Sequence, residues 1–198
     1  VLISGNGNYI AAELTGELFV FNRNSNVPLW NQSGLSLFDI SFNGEYILGG
    51  DANTVYLFHV DNGTPFWQVN VTSPFPSSIS ADGERIIVSS YDDKLYYFSK
   101  NSTIPLWAYD VGDPINAVSI SADGSYVAAG SDNDKVYIFR EDTNIPIVNF
   151  TTDSDVLSVS ISNNGKLVVS GSESGEVNLY DLSSLNRLWN FSGESRVK

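Results

Sequence analysis

One histidine, His59, stands in a chain of 198 residues that has no cysteine. Imidazole or thiolate metal sites, and Ser-His-Asp or Cys-His nucleophiles, need several such side chains brought together. His59 follows Phe58 at the end of an apolar run, so it reads as a strand-end residue, and neither a catalytic nor a metal site is expected. The adjacent pair Asp92-Asp93 has the atoms of a glycoside-cleaving acid pair. That chemistry needs its two carboxyls across a cleft, whereas neighbours on a tight loop point apart. What remains is charge in loops. Asp51, Asp92, Asp93, Asp132, Asp134 and Glu173 follow one class of apolar run; Asp110, Asp113, Asp153, Asp155 and Glu194 follow another. Only Lys94, Lys135 and Arg196 oppose them nearby. If both loop classes lie on one face, that face attracts a cation or a basic protein partner. Solvated loop charge is the plain alternative. No loop alternates oxygen ligands as a calcium loop does, so no metal or cofactor is assigned.

Two further sets recur with the chain. Trp30, Trp67, Trp107 and Trp189 occupy one repeat position, where Val148 stands in the fourth copy. Ring-arranged indoles can stack a sugar or a quinone, but a position that accepts valine reads as packing. Asn31, Asn62, Asn70, Asn101, Asn149 and Asn190 each open an Asn-x-Ser/Thr motif. Asn31, Asn149 and Asn190 directly follow the Trp or Val of the last strand, where an outer edge tolerates N-glycans. They are the glycosylation candidates, and they suggest a secreted or cell-surface protein.

The elements that position these residues repeat. Asn6-Gly7, Asn43-Gly44, Asp82-Gly83, Asp123-Gly124 and Asn164-Gly165 each sit between two apolar runs, a hairpin signal that predicts type I′ turns with positive φ at both residues. A third run follows in each copy (Leu18 to Phe21, Val55 to Phe58, Leu95 to Phe98, Val136 to Phe139, Val177 to Tyr180), then a segment such as Pro28-Leu29-Trp30. Four strands, A to D, in a unit of about 40 residues define a propeller blade. A meander of this kind sends its B–C and D–A loops to the same end. The expected fold is an all-β β-propeller of five four-stranded antiparallel blades, in one domain over 1–198, with blades near 1–34, 35–73, 74–113, 114–154 and 155–198.

Whole-chain numbers agree. Aromatic residues make up 13% and hydrophobic residues 42%, a composition suited to pleated, buried sheets. The net charge of −13 opposes nucleic acid and anionic membranes, whose binding needs a basic footprint. No apolar run reaches the roughly 20 residues of a membrane helix, so no membrane insertion is expected. The lack of any Met suggests a piece of something longer.

The stretch from Ile120 to Phe139 resembles a WD-repeat blade. Thr15 to Phe21 with Pro28-Leu29-Trp30, and Lys94 to Phe98 with Leu106-Trp107, resemble PQQ-like repeats, in which a Trp ends the blade. The WD pattern is incomplete. No Gly-His pair precedes strand A, Phe or Tyr replaces its closing Trp-Asp, and the Asp of its hydrogen-bond network corresponds only to Asp92, with Ala52, Asn133 and Ser174 elsewhere. The resemblance implies the fold far more than a function. The expected role is a non-catalytic interaction scaffold that binds a protein or cation through the acidic face. The PQQ-like blades imply a quinoprotein-type enzyme domain as the alternative, and a structural repeat of a cell-surface layer or filament is a third. Ser195 to Lys198 aligns with the entry to strand A, and Val1 to Ser4 with its interior. Five blades therefore either close a ring with a split inner strand or form part of a larger ring, and the register favours the larger ring.

Overall fold

The computed structural model describes residues 1–193 and 197, and every regular element among them is a strand. Blade I holds β1 (Leu2–Ile3), β2 (Tyr9–Leu14), β3 (Glu17–Asn22) and β4 (Trp30–Ser33). Blade II holds β5 (Ser36–Ile40), β6 (Tyr46–Gly50), β7 (Thr54–His59) and β8 (Pro65–Asn70). Blade III holds β9 (Ser77–Ile79), β10 (Arg85–Ser90), β11 (Lys94–Ser99) and β12 (Trp107–Asp110). Blade IV holds β13 (Ile115–Ile120), β14 (Tyr126–Ser131), β15 (Lys135–Arg140) and β16 (Val148–Thr151). Blade V holds β17 (Val156–Ile161), β18 (Leu167–Ser172), β19 (Glu176–Asp181) and β20 (Asn186–Ser192). Each blade is a four-stranded meander in chain order, antiparallel throughout.

The A–B turns differ from the expected type I′. Only the glycine of each pair has positive φ, from +64° at Gly165 to +77° at Gly83. The preceding Asn or Asp keeps ordinary φ because its side chain braces the turn. Ser41 Oγ donates to Asn43 Oδ1 at 2.7 Å and receives the Tyr46 N–H at 3.0 Å, while Gly44 N–H reaches the Ser41 carbonyl at 2.9 Å. The same serine-to-Asx bond recurs at Ser4, Ser80, Ser121 and Ser162. Such side-chain bonds give the backbone groups partners that a two-residue turn would not. The turn with positive φ at both residues is Thr15-Gly16, between β2 and β3.

The sheets pack face to face in sequence, and four apolar cores fill the joints from I–II to IV–V. Among the described residues no such core joins V to I. At the inner ends, backbone bonds sew neighbours together: Asn6 N–H to Phe42 O, Asn43 N–H to Ala81 O, Ala81 N–H to Ala122 O and Ala122 N–H to Asn163 O. At the outer ends an indole of one blade lies on a strand C ring of the next. Trp30 meets Phe58 at 5.2 Å between centroids, Trp67 meets Phe98 at 5.8 Å and Trp107 meets Phe139 at 5.2 Å. In blade IV, Phe150 takes this role and stacks on Tyr180 at 4.1 Å. The expectation that one indole position clamps blades holds at these three tryptophans and fails at Trp189. That indole is 49% exposed, because no blade lies beyond it among the described residues.

Candidate functional site

The B–C and D–A loops meet at one end of the arc and bond to each other. Val111 N–H reaches the Asp93 carbonyl, Thr152 N–H reaches that of Asp134, and Glu173 N–H reaches that of Asp155. Of the eleven acidic candidates nine lie in these loops, while Asp110 ends β12 and Glu194 lies outside the described residues, and the nine divide into two groups.

In blades II and III the carboxylates brace their own loops. Asp51 accepts the Asn53 N–H at 2.9 Å and the Tyr56 hydroxyl at 3.0 Å. The Asn53 amide, followed by the Tyr56 and Thr54 bonds, holds its carboxyl below the usual range despite some burial. Asp92 accepts the Tyr96 hydroxyl at 3.0 Å and pairs with Lys94 at 3.2 Å. Burial pushes that carboxyl up, and bonds from Ser90, Lys94 and Tyr96 outweigh it, so it too stays low. In blade IV the corresponding brace is uncharged, Asn133 Nδ2 donating to Tyr137 Oη at 2.9 Å. A brace that works without charge serves the loop. Asp93 has φ +63° at the loop apex, and Asp113 is exposed after β12.

In blades IV and V the carboxylates converge. Partial burial, followed by repulsion from Asp132, Glu173 and Asp134, pushes the Asp155 carboxyl above its ordinary value. The Asp155 and Glu173 loops abut directly, the Glu173 N–H reaching the Asp155 carbonyl at 2.9 Å. Asp132 accepts Asn116 Nδ2 at 2.6 Å, which also spans to the Val156 carbonyl, so the blade joint itself fixes this carboxylate. Asp134 sits at φ +60°, and Asp153 is exposed beside the cluster, its N–H donating to the buried Glu176 at 3.3 Å. Glu194 and Arg196, both expected on this face, lie outside the described residues. No group of three His, Asp or Glu side chains among the described residues could hold a metal ion.

All six sequon asparagines are exposed. Asn31 lies in β4 and donates to Glu17, Asn70 ends β8, Asn149 lies in β16, and Asn190 lies in β20 and donates to Glu176 at 3.2 Å. Asn62 and Asn101 lie in the C–D loops, where Asn62 caps the Thr64 N–H at 2.9 Å.

The axis holds features that sequence reasoning missed. A cavity of about 510 Å³ at its A–B end is lined from all five blades, by residues that include Ile3, Phe42, Ile79, Ala122 and Asn163, with no charged side chain among the described residues. A second, of about 420 Å³, is lined by Glu13 and Asp51 with Ser36, Ser73 and apolar residues, and by no Lys or Arg among the described residues. A metal-bound quinone carrying carboxylates needs cations around it, and the described residues of these walls supply none. Asp39 on strand A accepts Ser78 Oγ at 2.9 Å and Ile79 N–H at 3.0 Å from the next blade. Burial between blades pushes its carboxyl up against the pull of those bonds. The equivalent Ser119 receives the Ile161 N–H at 3.1 Å, a neutral version of the same link. The sequence signal was the set Leu2, Asp39, Ser78, Ser119 and Ser160 at one inner position, with a single carboxylate.

Radial four-stranded meanders with cross-blade aromatic clamps define a β-propeller repeat protein. The family model described as outer membrane protein assembly factor BamB, of PQQ-like repeats, matches residues 15–122, and the chain belongs to that family. The model described as WD domain, G-beta repeat, matches residues 145–181. No curated protein matches the chain.

Proposed function

We propose that the chain is a non-catalytic interaction scaffold, secreted or at a cell surface, that takes a basic protein segment on the acidic loop face of blades IV and V. The observation that carries this reading is that the loops holding Asp132, Asp134 and Asp155 meet across one joint, where Asn116 ties the Asp132 carboxylate to the Val156 carbonyl and the Thr152 N–H reaches the Asp134 carbonyl. Repulsion within the cluster is relieved when a Lys or Arg side chain enters it, and a negative rim also steers a cationic partner toward it. The description of the matched family as an assembly factor is in keeping with a scaffold. The exposed sequons on outer strands and loops support N-glycans and the surface location.

The test is titration with a Lys/Arg-rich peptide and with a neutral control, comparing the wild type with Asp132→Asn/Asp134→Asn/Asp155→Asn. Exposed ion pairs contribute about 0.2–1 kcal/mol each, so the triple variant loses about tenfold in affinity, and added salt weakens the wild type. Equal binding by wild type and variant would sink the reading. Mass spectrometry of native material tests the sequons, and unmodified Asn31, Asn149 and Asn190 count against the surface assignment.

A further inference from the structure

The cavity of about 420 Å³ combines aromatic rings with carboxylates in a way that loop bracing does not require. Its walls come from residues 13–75, across the two internal joints from blade I to II and from blade II to III. Phe38 and Phe75 form two of its sides, 6.1 Å apart between ring centroids and at 54° between planes. Phe75 stands in the loop between β8 and β9 and is 68% exposed, so most of its ring is open to an incoming group.

An irregularity in strand pairing places Phe38 there. The register of β5 with β6 slips between Leu37 and Asp39, which leaves Phe38 as an extra residue. Such a bulge re-aims the side chain it carries. Val118 and Val159 stand, like Phe38, two places before the inner isoleucine of their blades, and they pack on the core shared with the preceding blade. Phe38 turns the other way, onto the core shared with blade III. Gly50 makes room for it, since a Cβ there would lie 2.6 Å from the Phe38 ring. Glu13 and Asp51 supply negative charge. Glu13 is held across the joint by Oε2, which accepts the Leu37 N–H at 2.9 Å, and its Oε1 has no hydrogen-bond partner among the described residues. Asp51 stays ionised, because the Asn53 amide and then the Tyr56 hydroxyl hold its carboxyl low. Neither carboxylate pairs with a Lys or Arg among the described residues.

We infer that this cavity binds a small organic cation, a guanidinium or primary ammonium group that lies against the Phe38 and Phe75 rings and donates to Glu13 Oε1. A cation is attracted to an aromatic face within about 6 Å of its centroid. Two carboxylates without a counter-cation repel an anion and favour positive charge. An inorganic ion has too few ligands, since no group of three metal-binding side chains occurs among the described residues. The volume lies within the range of small-molecule sites. The cationic group arrives either free in solution or on the side chain of a protein partner, and the chemistry of recognition is the same.

The experiment follows the backbone amide NMR signals of isotope-labelled protein during titration with butylguanidinium chloride. Butylurea is the neutral isostere, and sodium chloride controls for ionic strength. Butylguanidinium is expected to shift the amides of Phe38, Asp51 and Ser73 saturably, and neither control to do so. Glu13→Gln keeps an acceptor for the Leu37 N–H and weakens binding about threefold to fivefold. Phe75→Leu, at an exposed position, weakens it about threefold to tenfold. Circular dichroism verifies that both variants fold. Asp132→Asn/Asp134→Asn/Asp155→Asn binds butylguanidinium as the wild type does, which separates this site from the cluster of blades IV and V. A capped Gly-Arg-Gly peptide that shifts the same amides at lower concentration than butylguanidinium assigns the group to a protein side chain; equal or weaker binding assigns it to a free cation. No saturable shift, equal shifts from butylurea or sodium chloride, or unchanged affinity in Glu13→Gln and Phe75→Leu overturns the proposal.

Discussion

Trp107 and Trp189 are the same residue at the same repeat position, and their replacement by alanine separates an inter-blade clamp from an uncovered one. Trp107 is 8% exposed. Its ring lies between Tyr97 of its own blade, at 4.9 Å and 12° between planes, and Phe139 of the next, at 5.2 Å and 26°. Its Nε1 donates to the Glu141 carbonyl at 3.2 Å. Truncating so enclosed an aromatic costs about 3–5 kcal/mol, from lost transfer and the cavity left behind. The orphaned carbonyl adds about 1 kcal/mol unless water reaches it. Trp189 is half exposed, with no ring partner among the described residues, so Trp189→Ala removes only part of a burial worth about 2–3 kcal/mol and costs about 1. The assay is urea unfolding of both variants, dilute enough that the wild type is a single chain. Trp107→Ala shifts the midpoint by several times the shift of Trp189→Ala, with little change in slope for either. Equal shifts would refute the reasoning, since they would mean that Trp189 is as enclosed as Trp107.

Asp39→Asn tests the inner link through pH. The Asp39 carboxyl is raised above 3.8 by burial, so the folded state holds its proton where the unfolded state has lost it. Its stabilising contribution is full below the ordinary carboxylate pKa and is lost as pH rises through the raised one. As pH rises above the ordinary carboxylate range, thermal melts of the wild type lose stability relative to Asp39→Asn, and parallel curves would contradict this. The glycines give a graded pair. Gly7 has φ +68° and open space where a methyl group would project, so Gly7→Ala carries only the backbone cost of about 1 kcal/mol. At Gly83, φ is +77° and a Cβ would lie 2.3 Å from Tyr46 Cδ2, so Gly83→Ala costs about 1–3 kcal/mol more, measured by the same unfolding assay.

The periodic features are legible in the sequence because each is local. The Asx-Gly pairs mark the A–B turns, the apolar runs mark strands, and the recurrent Trp marks strand D. The turn type is not legible from the pair alone, since the serine that braces each Asx side chain comes two residues earlier and substitutes for a second positive φ. Trp189 departs from expectation for a different reason. Its own sequence context matches that of Trp107, and what separates them is the presence of a neighbouring blade, which local pattern does not encode. The acidic loops are legible as a set. Their division into braced carboxylates in blades II and III and a converged cluster in IV and V depends on which tyrosine lies within reach and which loops abut across a joint. Asp39 reads as one polar residue in an inner strand, and its role emerges only when Ser78 and Ile79 of the next blade face it.

The direct test of the propeller arrangement is a nuclear Overhauser spectrum of the aromatic region. Stacked radial blades predict contacts from the Trp30 ring to Phe58, from Trp67 to Phe98 and from Trp107 to Phe139, each crossing from one blade to the next. Indole contacts confined to each tryptophan's own sheet, with none of these three crossings, would contradict it.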